Sequence, residues 1–141
     1  MKRSASAVWQ GALKTGKGTI STESGVLSGA PYSFGTRFEN AKGTNPEELI
    51  GAAHAGCFAM ALSLVLGEAG LTPERLETSA AVTIDQVAGG FAITSVHLTL
   101  RAKIPGASRE AFERAAEAAK AGCPVSKVLN AKITLDKTLD A

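Results

Sequence analysis

Thr44–Gly70 reads TNPEELIGAAHAGCFAMALSLVLGEAG, and its opening residues spell the start of a helix. Asn45 can cap orphan amide hydrogens, Pro46 suits the first helical position, and Glu47 and Glu48 place negative charge at the positive end of the helix dipole. From Leu49 to Gly67 there is no Asp, Glu, Lys or Arg, and Cys57 lies in the middle of that run. Gly70 is a fitting stop. The pattern predicts a long helix that is apolar on nearly every face and therefore buried by its surroundings. A thiol in such a place is either inert packing or the centre of the protein's chemistry.

A membrane span needs about 20 apolar residues. This run approaches that length, but it carries His54, Ser63, five alanines before Leu62 and no basic flank after it. Met1–Gln10 has Lys2 and Arg3 without the apolar stretch of a signal peptide behind them. The expectation is a soluble, cytoplasmic protein with no membrane partner. A chain of 141 residues, 45% of them apolar, fits one compact domain over 1–141. Its net charge of +2 is spread among interspersed residues, with no basic stripe and only 5% aromatics, so nothing argues for nucleic acid. Two cysteines, Cys57 and Cys123, are too few for a secreted disulfide framework. They point to redox or metal chemistry, or to two buried thiols.

Outward from the helix, Ser4–Leu13, Thr19–Glu23 and Tyr32–Glu39 read as three strands, with Arg37 near the end of the third. Gly11, Gly16 and Lys17 imitate the start of a phosphate-binding loop, but Gly18 stands where Ser or Thr is required and a β-like run follows. After the helix, Leu76–Val87 and Phe91–Ala102 form a hairpin through Ala88-Gly89-Gly90. Val96, Leu98 and Leu100 lie on one face of its second strand, and Ser95, His97, Thr99 and Arg101 on a wetter one. Ser108 caps a helix over Arg109–Ala121 with Phe112, Ala115, Ala116 and Ala119 on one face. Gly122-Cys123-Pro124 interrupts it and places Cys123 at the N-cap of a short helix, Val125–Leu129. Ala131–Leu139 closes the chain as a strand. The order βββ-α-ββ-α-α-β is an α+β arrangement.

An apolar helix interior raises a thiol pKa, so a working Cys57 needs a cation from elsewhere. Arg37 is the best local candidate, and a carboxylate from Glu47 or Glu48 could hold its guanidinium fork, although helix-dipole preference also explains both acids. Glu47 and Cys57 would stand roughly 15 Å apart along a straight helix. Either the helix bends at Gly51 or Gly56, or the pair that serves Cys57 belongs to a second subunit. The all-round apolar helix favours the second reading, a dimer with sites at its interface. Cys123, at an N-cap, is expected to be accessible and acidic, either a resolving thiol or a cysteine at a helix break. His54, three residues before Cys57, reads as a packed or supporting residue. No ligand spacing backs a zinc site with it, so no metal is expected. A dimeric protein binding apolar ligands, and a hydrolase using Cys57 with His54, remain open on the residues alone.

Arg37-Phe38-Glu39, the run from Gly43-Thr44-Asn45-Pro46-Glu47-Glu48 to His54-Ala55-Gly56-Cys57, Leu71-Thr72-Pro73-Glu74 and Gly122-Cys123-Pro124-Val125-Ser126 together resemble the osmotically inducible protein C (OsmC) family, which includes the organic hydroperoxide resistance proteins. The resemblance runs the length of the chain and favours the OsmC branch. It implies an intertwined homodimer acting as a thiol peroxidase without a cofactor. Cys57 would be the peroxidatic thiol, Cys123 the resolving thiol, and Arg37 and Glu47 the activating pair from the opposite subunit. It also implies organic hydroperoxide substrates and a dihydrolipoyl protein or other dithiol as reductant.

Overall fold

The computed structural model describes Met1–Asp140, which fall into two compact units, one ending at Leu49 and the other beginning at Ile50. In the first, β1 (Ala5–Gln10), β2 (Lys17–Thr22) and β3 (Ala30–Tyr32) form an antiparallel sheet in sequence order. Lys17 opens a strand, so the imitation of a phosphate loop has no helix behind it. Every residue of β1 is exposed, Val8 and Trp9 among them.

The third strand is shorter than the sequence predicts, and Arg37 does not lie on it. Residues Phe34–Phe38 form a short helix, α1, which adds an element to the expected order. The cause is local. Ser33 Oγ accepts from the Thr36 amide, and Thr36 Oγ1 accepts from the Ser33 amide, a reciprocal capping box that outcompetes continuation of the strand. Tyr32, Phe34, Thr36 and Phe38 alternate as a strand would, and the caps override that alternation.

The long helix, α2, runs unbroken over Pro46–Glu68. Its start is capped by Asn45, whose Oδ1 accepts from the Glu48 amide at 2.8 Å. Its end turns at Gly70, with φ +77°, and the Leu71 amide closes onto the Leu66 carbonyl at 2.8 Å. By length and apolarity it is the one described helix long enough to cross a membrane, the property core helices of soluble proteins share. The expectation that its neighbours bury every face is not met within one chain. Gly51, His54, Phe58, Leu62 and Leu66 make a buried stripe, while Met60 and Leu64 on other faces are 77% and 65% exposed.

From Ile50 onward, β4 (Arg75–Val87) and β5 (Gly90–Lys103) form the predicted hairpin, with a register shift at Thr83/Ile84. β6 (Lys132–Asp140) pairs parallel to β5. A parallel neighbour requires a crossover, and α3 (Arg109–Gly122) with α4 (Pro124–Val128) provides it. Ser108 Oγ accepts from the Ala111 amide, as the sequence predicts, and Phe112, Ala115, Ala116 and Ala119 are buried. The core joins them to Phe58, Leu62 and Leu66 of α2 and to Val96, Leu98, Leu100 and Ala102 of β5.

Candidate active site

In the first unit, α1 and the start of α2 bring Arg37 and Glu47 together. Arg37 Nε donates to Glu47 Oε1 at 2.8 Å and Nη2 donates to Oε2 at 2.9 Å, a two-pronged clasp. The Glu47 side chain is 9% exposed and that of Arg37 36%, so the carboxylate anchors and the guanidinium keeps an open side. Glu48, the other acid weighed from sequence, accepts instead from Thr44 Oγ1 at 2.8 Å. Asn45 Nδ2 donates to the Thr36 carbonyl at 3.0 Å and ties the two helices beside the clasp. A cavity of about 260 Å³ borders Arg37, walled by Trp9, Tyr32, Phe34 and Phe38.

In the second unit, α2 presents Cys57 and the junction between α3 and α4 presents Cys123. Both are free thiols, and each perturbs the ionisation of the other. Cys57 is partly exposed. Cys123 is 0% exposed, which corrects the sequence expectation that its capping position would leave it accessible. The reason is that Cys123 ends α3 as well as beginning α4, its amide bonded to the Ala119 carbonyl at 2.9 Å within the alanine-rich core.

The two thiols titrate apart. Burial pushes the Cys57 thiol above its ordinary value, and the contact with Cys123 pushes it further, only partly offset by the Val125 backbone. Burial also opposes ionisation of Cys123, but the neighbouring Cys57 side chain, the Ser126 and Val125 backbone and the Ser126 side chain outweigh this and pull it down. Cys57, the sulfur that solvent can reach, is therefore the one that lacks a charge to ionise it.

His54 lies fully buried one turn before Cys57, and burial lowers its pKa. Its Nε2 is 2.7 Å from Ser126 Oγ, a contact that links α2 to α4 across 72 residues of sequence. Sequence reasoning gave Ser126 no role, although it stands in the Gly122–Ser126 motif. Among the described residues, no group of three His, Cys, Asp or Glu side chains comes together as a ligand set.

The chain matches the family model "OsmC-like protein" over residues 39–137. It is 60% identical to "Peroxiredoxin OsmC" of Escherichia coli (strain K12) over 133 residues, covering 94% of this chain and 93% of that one. It is 33% identical to "Organic hydroperoxide resistance protein" of Xanthomonas axonopodis pv. citri (strain 306) over 98 residues, 69% of this chain and 67% of the relative. The crystal structure of the organic hydroperoxide resistance protein OhrB of Bacillus subtilis superposes with a TM-score of 0.71 at 27% identity, covering 96% and 98% of the two chains. That match supports the α+β fold described above, and with the sequence matches it carries the assignment: this chain belongs to the OsmC family.

Proposed function

We propose that this protein is a thiol peroxidase that reduces organic hydroperoxides to alcohols, with Cys57 as the peroxidatic thiol and Cys123 as the resolving thiol. The observation that carries the reading is the paired thiols of unequal access, one open to solvent and one buried in contact with it. The names carried by the relatives support it. The Cys57 thiolate attacks the distal peroxide oxygen, the O–O bond breaks, and the departing alkoxide takes a proton to become the alcohol. Cys57 is left as a sulfenic acid. Cys123 attacks its sulfur, hydroxide leaves and is protonated to water, and a Cys57–Cys123 disulfide remains. An external dithiol, a dihydrolipoyl group on a carrier protein, reopens it by exchange. No cofactor takes part. The setting is the cytoplasm, where the activity guards against hydroperoxide stress.

Activation of Cys57 needs a fixed positive charge, and the Arg37–Glu47 clasp is the candidate source. Because α2 is continuous, Glu47 and Cys57 of one chain are separated by roughly 15 Å along it. The clasp therefore serves Cys57 of a second copy in a homodimer, and the exposed apolar residues of α2 and β1 support such a pairing. Substrate would lie in the aromatic cavity beside Arg37, whose walls favour an alkyl or aryl group over hydrogen peroxide.

One equivalent of cumene hydroperoxide added to the reduced protein should produce a Cys57–Cys123 disulfide within each chain, read by mass spectrometry and peptide mapping. Two free thiols, or a disulfide joining two chains, would count against the reading.

A further inference from the structure

The buried pair His54 and Ser126 is not used by the steps above. His54 is 0% exposed, its Nε2 meets Ser126 Oγ at 2.7 Å, and its Nδ1 is buried without a hydrogen-bond partner. A neutral imidazole has one N–H, and the two possible placements are not equal here. A proton on Nδ1 would bury an N–H with nothing to receive it, which proteins avoid more strictly than an unshared lone pair. The proton therefore sits on Nε2 and is donated to Ser126 Oγ. The single hydroxyl hydrogen of Ser126 is then left to turn toward Cys123, the residue that caps the same helix three positions earlier and whose thiol the Ser126 side chain pulls down.

We propose that His54 and Ser126 form a one-way donor chain, His54 Nε2–H to Ser126 Oγ–H to Cys123 Sγ, that makes Cys123 both the resolving thiolate and the sulfur that departs when the disulfide is reduced. His54 acts through Ser126 and is a positioning residue. In resolution, the electron pair of Cys123 forms the S–S bond while the S–O bond of the Cys57 sulfenic acid breaks. The hydroxide released takes up the proton that Cys123 gave to solvent, and water forms. In reduction, one thiolate of the external dithiol bonds to Cys57 Sγ, the S–S bond breaks, and its electron pair returns to Cys123, where the donor chain holds the charge. The second thiol of the reductant then displaces Cys57. Exposure favours the same direction, since Cys57 is the sulfur that solvent reaches and Cys123 the one it does not. Thiol exchange runs faster toward the better-stabilised leaving thiolate, so the chain fixes which sulfur carries the mixed disulfide.

This inference rests on the peroxidase reading, and the experiment separates their failures. Ser126→Ala, Ser126→Thr, His54→Leu and His54→Gln proteins are compared with the parent, Gln being the variant that keeps an N–H donor near the Nε2 position. Three measurements are made: the decay of the Cys57 sulfenic acid after one equivalent of cumene hydroperoxide, the redox potential of the Cys57–Cys123 pair against dithiothreitol, and the site of the adduct when the oxidised protein meets excess 2-mercaptoethanol before an acid quench. In Ser126→Ala the sulfenic acid should persist severalfold longer, and the equilibrium constant for reduction should fall about tenfold, a potential about 30 mV more negative. The adduct in the parent should lie on Cys57. Thr and Gln should restore most of the parental values, where a loss of packing alone would not follow the donor. Parental decay and potential in Ser126→Ala would overturn the inference, as would an adduct on Cys123. Should the buried His54→Leu protein fail to fold, the Ser126 pair still decides the outcome. A parent that consumes no hydroperoxide would sink the peroxidase reading instead, while potential and adduct, measured on a chemically formed disulfide, would still test the donor chain.

Discussion

The two units of the chain are built on opposite terms. From Ile50 onward, a sheet, two crossover helices and one stripe of α2 enclose a core that includes Phe58, Leu62, Val96, Leu98 and Phe112, each at 0% exposure. Up to Leu49 no large apolar side chain is buried. The buried residues with side chains are Thr36, Thr44 and Glu47, and β1 is exposed along its whole length. Yet the polar unit is the more fully satisfied in hydrogen bonds around its charge, with Arg37, Glu47, Thr36 and Asn45 knitted together. The apolar unit holds two thiols and no fixed cation bonded to them. One unit has a clasped cation without a buried apolar core, and the other has the core without a cation acting on its thiols. Chemistry at a thiolate needs both, and each of the following variants tests that division.

The largest effect belongs to the apolar unit. Cys57→Ser should abolish hydroperoxide consumption, whereas Cys123→Ser should permit one turnover and leave Cys57 as a sulfenic acid that dimedone traps. Equal loss of the first turnover in both would erase the distinction between the exposed and the buried sulfur.

Stability should follow the same divide. Phe58→Ala empties space in the core of the second unit and should cost about 3–5 kcal/mol in urea unfolding. Val8→Ala on β1, where the side chain is 58% exposed, should cost well under about 1 kcal/mol at high dilution. If Val8→Ala becomes costly as protein concentration rises, the exposed strand is covered by another copy, since only association makes stability depend on concentration.

Next comes the charge of the polar unit. Arg37→Met removes the guanidinium and keeps much of its bulk, and each unit by which the Cys57 pKa then rises removes about 1.4 kcal/mol of thiolate stabilisation. Burial already pushes this thiol up. A raised pKa favours the protonated thiol, so the thiolate appears only as pH climbs, and the variant's activity should rise steeply through the alkaline range where the parent's is flatter. Mixing Arg37→Met chains with Cys57→Ser chains should restore activity at one site per mixed dimer. Mixed dimers as inactive as their parents would mean that Arg37 and Cys57 act within one chain.

Much of this division can be read in the sequence, and the exceptions have physical causes. The caps Asn45, Ser108 and Gly70 are local signals, and each delimits its helix as expected. The Ala88–Gly90 link gives the hairpin for the same reason. Helix α1 was concealed because Phe34 and Phe38 alternate like strand residues, and because its capping box uses Thr36 where Glu or Gln is the usual third residue. Ser33 and Thr36 three positions apart were the available signal. That an acid at the start of α2 could hold Arg37 was legible, but helix-dipole preference accounts equally for Glu47 and Glu48, and only the family resemblance singled out Glu47, the one that clasps Arg37. The burial of Cys123 and its link through Ser126 to His54 were not legible, because contacts across 72 residues depend on how the crossover packs. No local pattern encodes that.

The smallest expected effects probe what covers α2, using three glycines on one helix. Exchanging a mid-helix glycine for alanine stabilises by roughly 0.5–1 kcal/mol when the new methyl group meets nothing. At Gly51 the methyl would stand 3.1 Å from the Ala80 carbonyl oxygen, and that backbone is fixed in β4, so Gly51→Ala should lose the gain or turn destabilising. At Gly56 and Gly67 an added methyl meets nothing within 4 Å in the single chain. Both should therefore stabilise a lone protomer to a similar small extent. Gly56 adjoins Cys57, on the helix whose Met60 and Leu64 stand exposed, and a partner packed there would meet the methyl. Gly67, in the last turn of α2, serves as the reference. Unfolding measured at low and at high protein concentration separates the cases. A Gly56→Ala gain that vanishes or reverses at high concentration while the Gly67→Ala gain persists would place a second copy over that face. Equal gains at every concentration would leave the face bare, and the charge that Cys57 requires would then have to come from within its own chain.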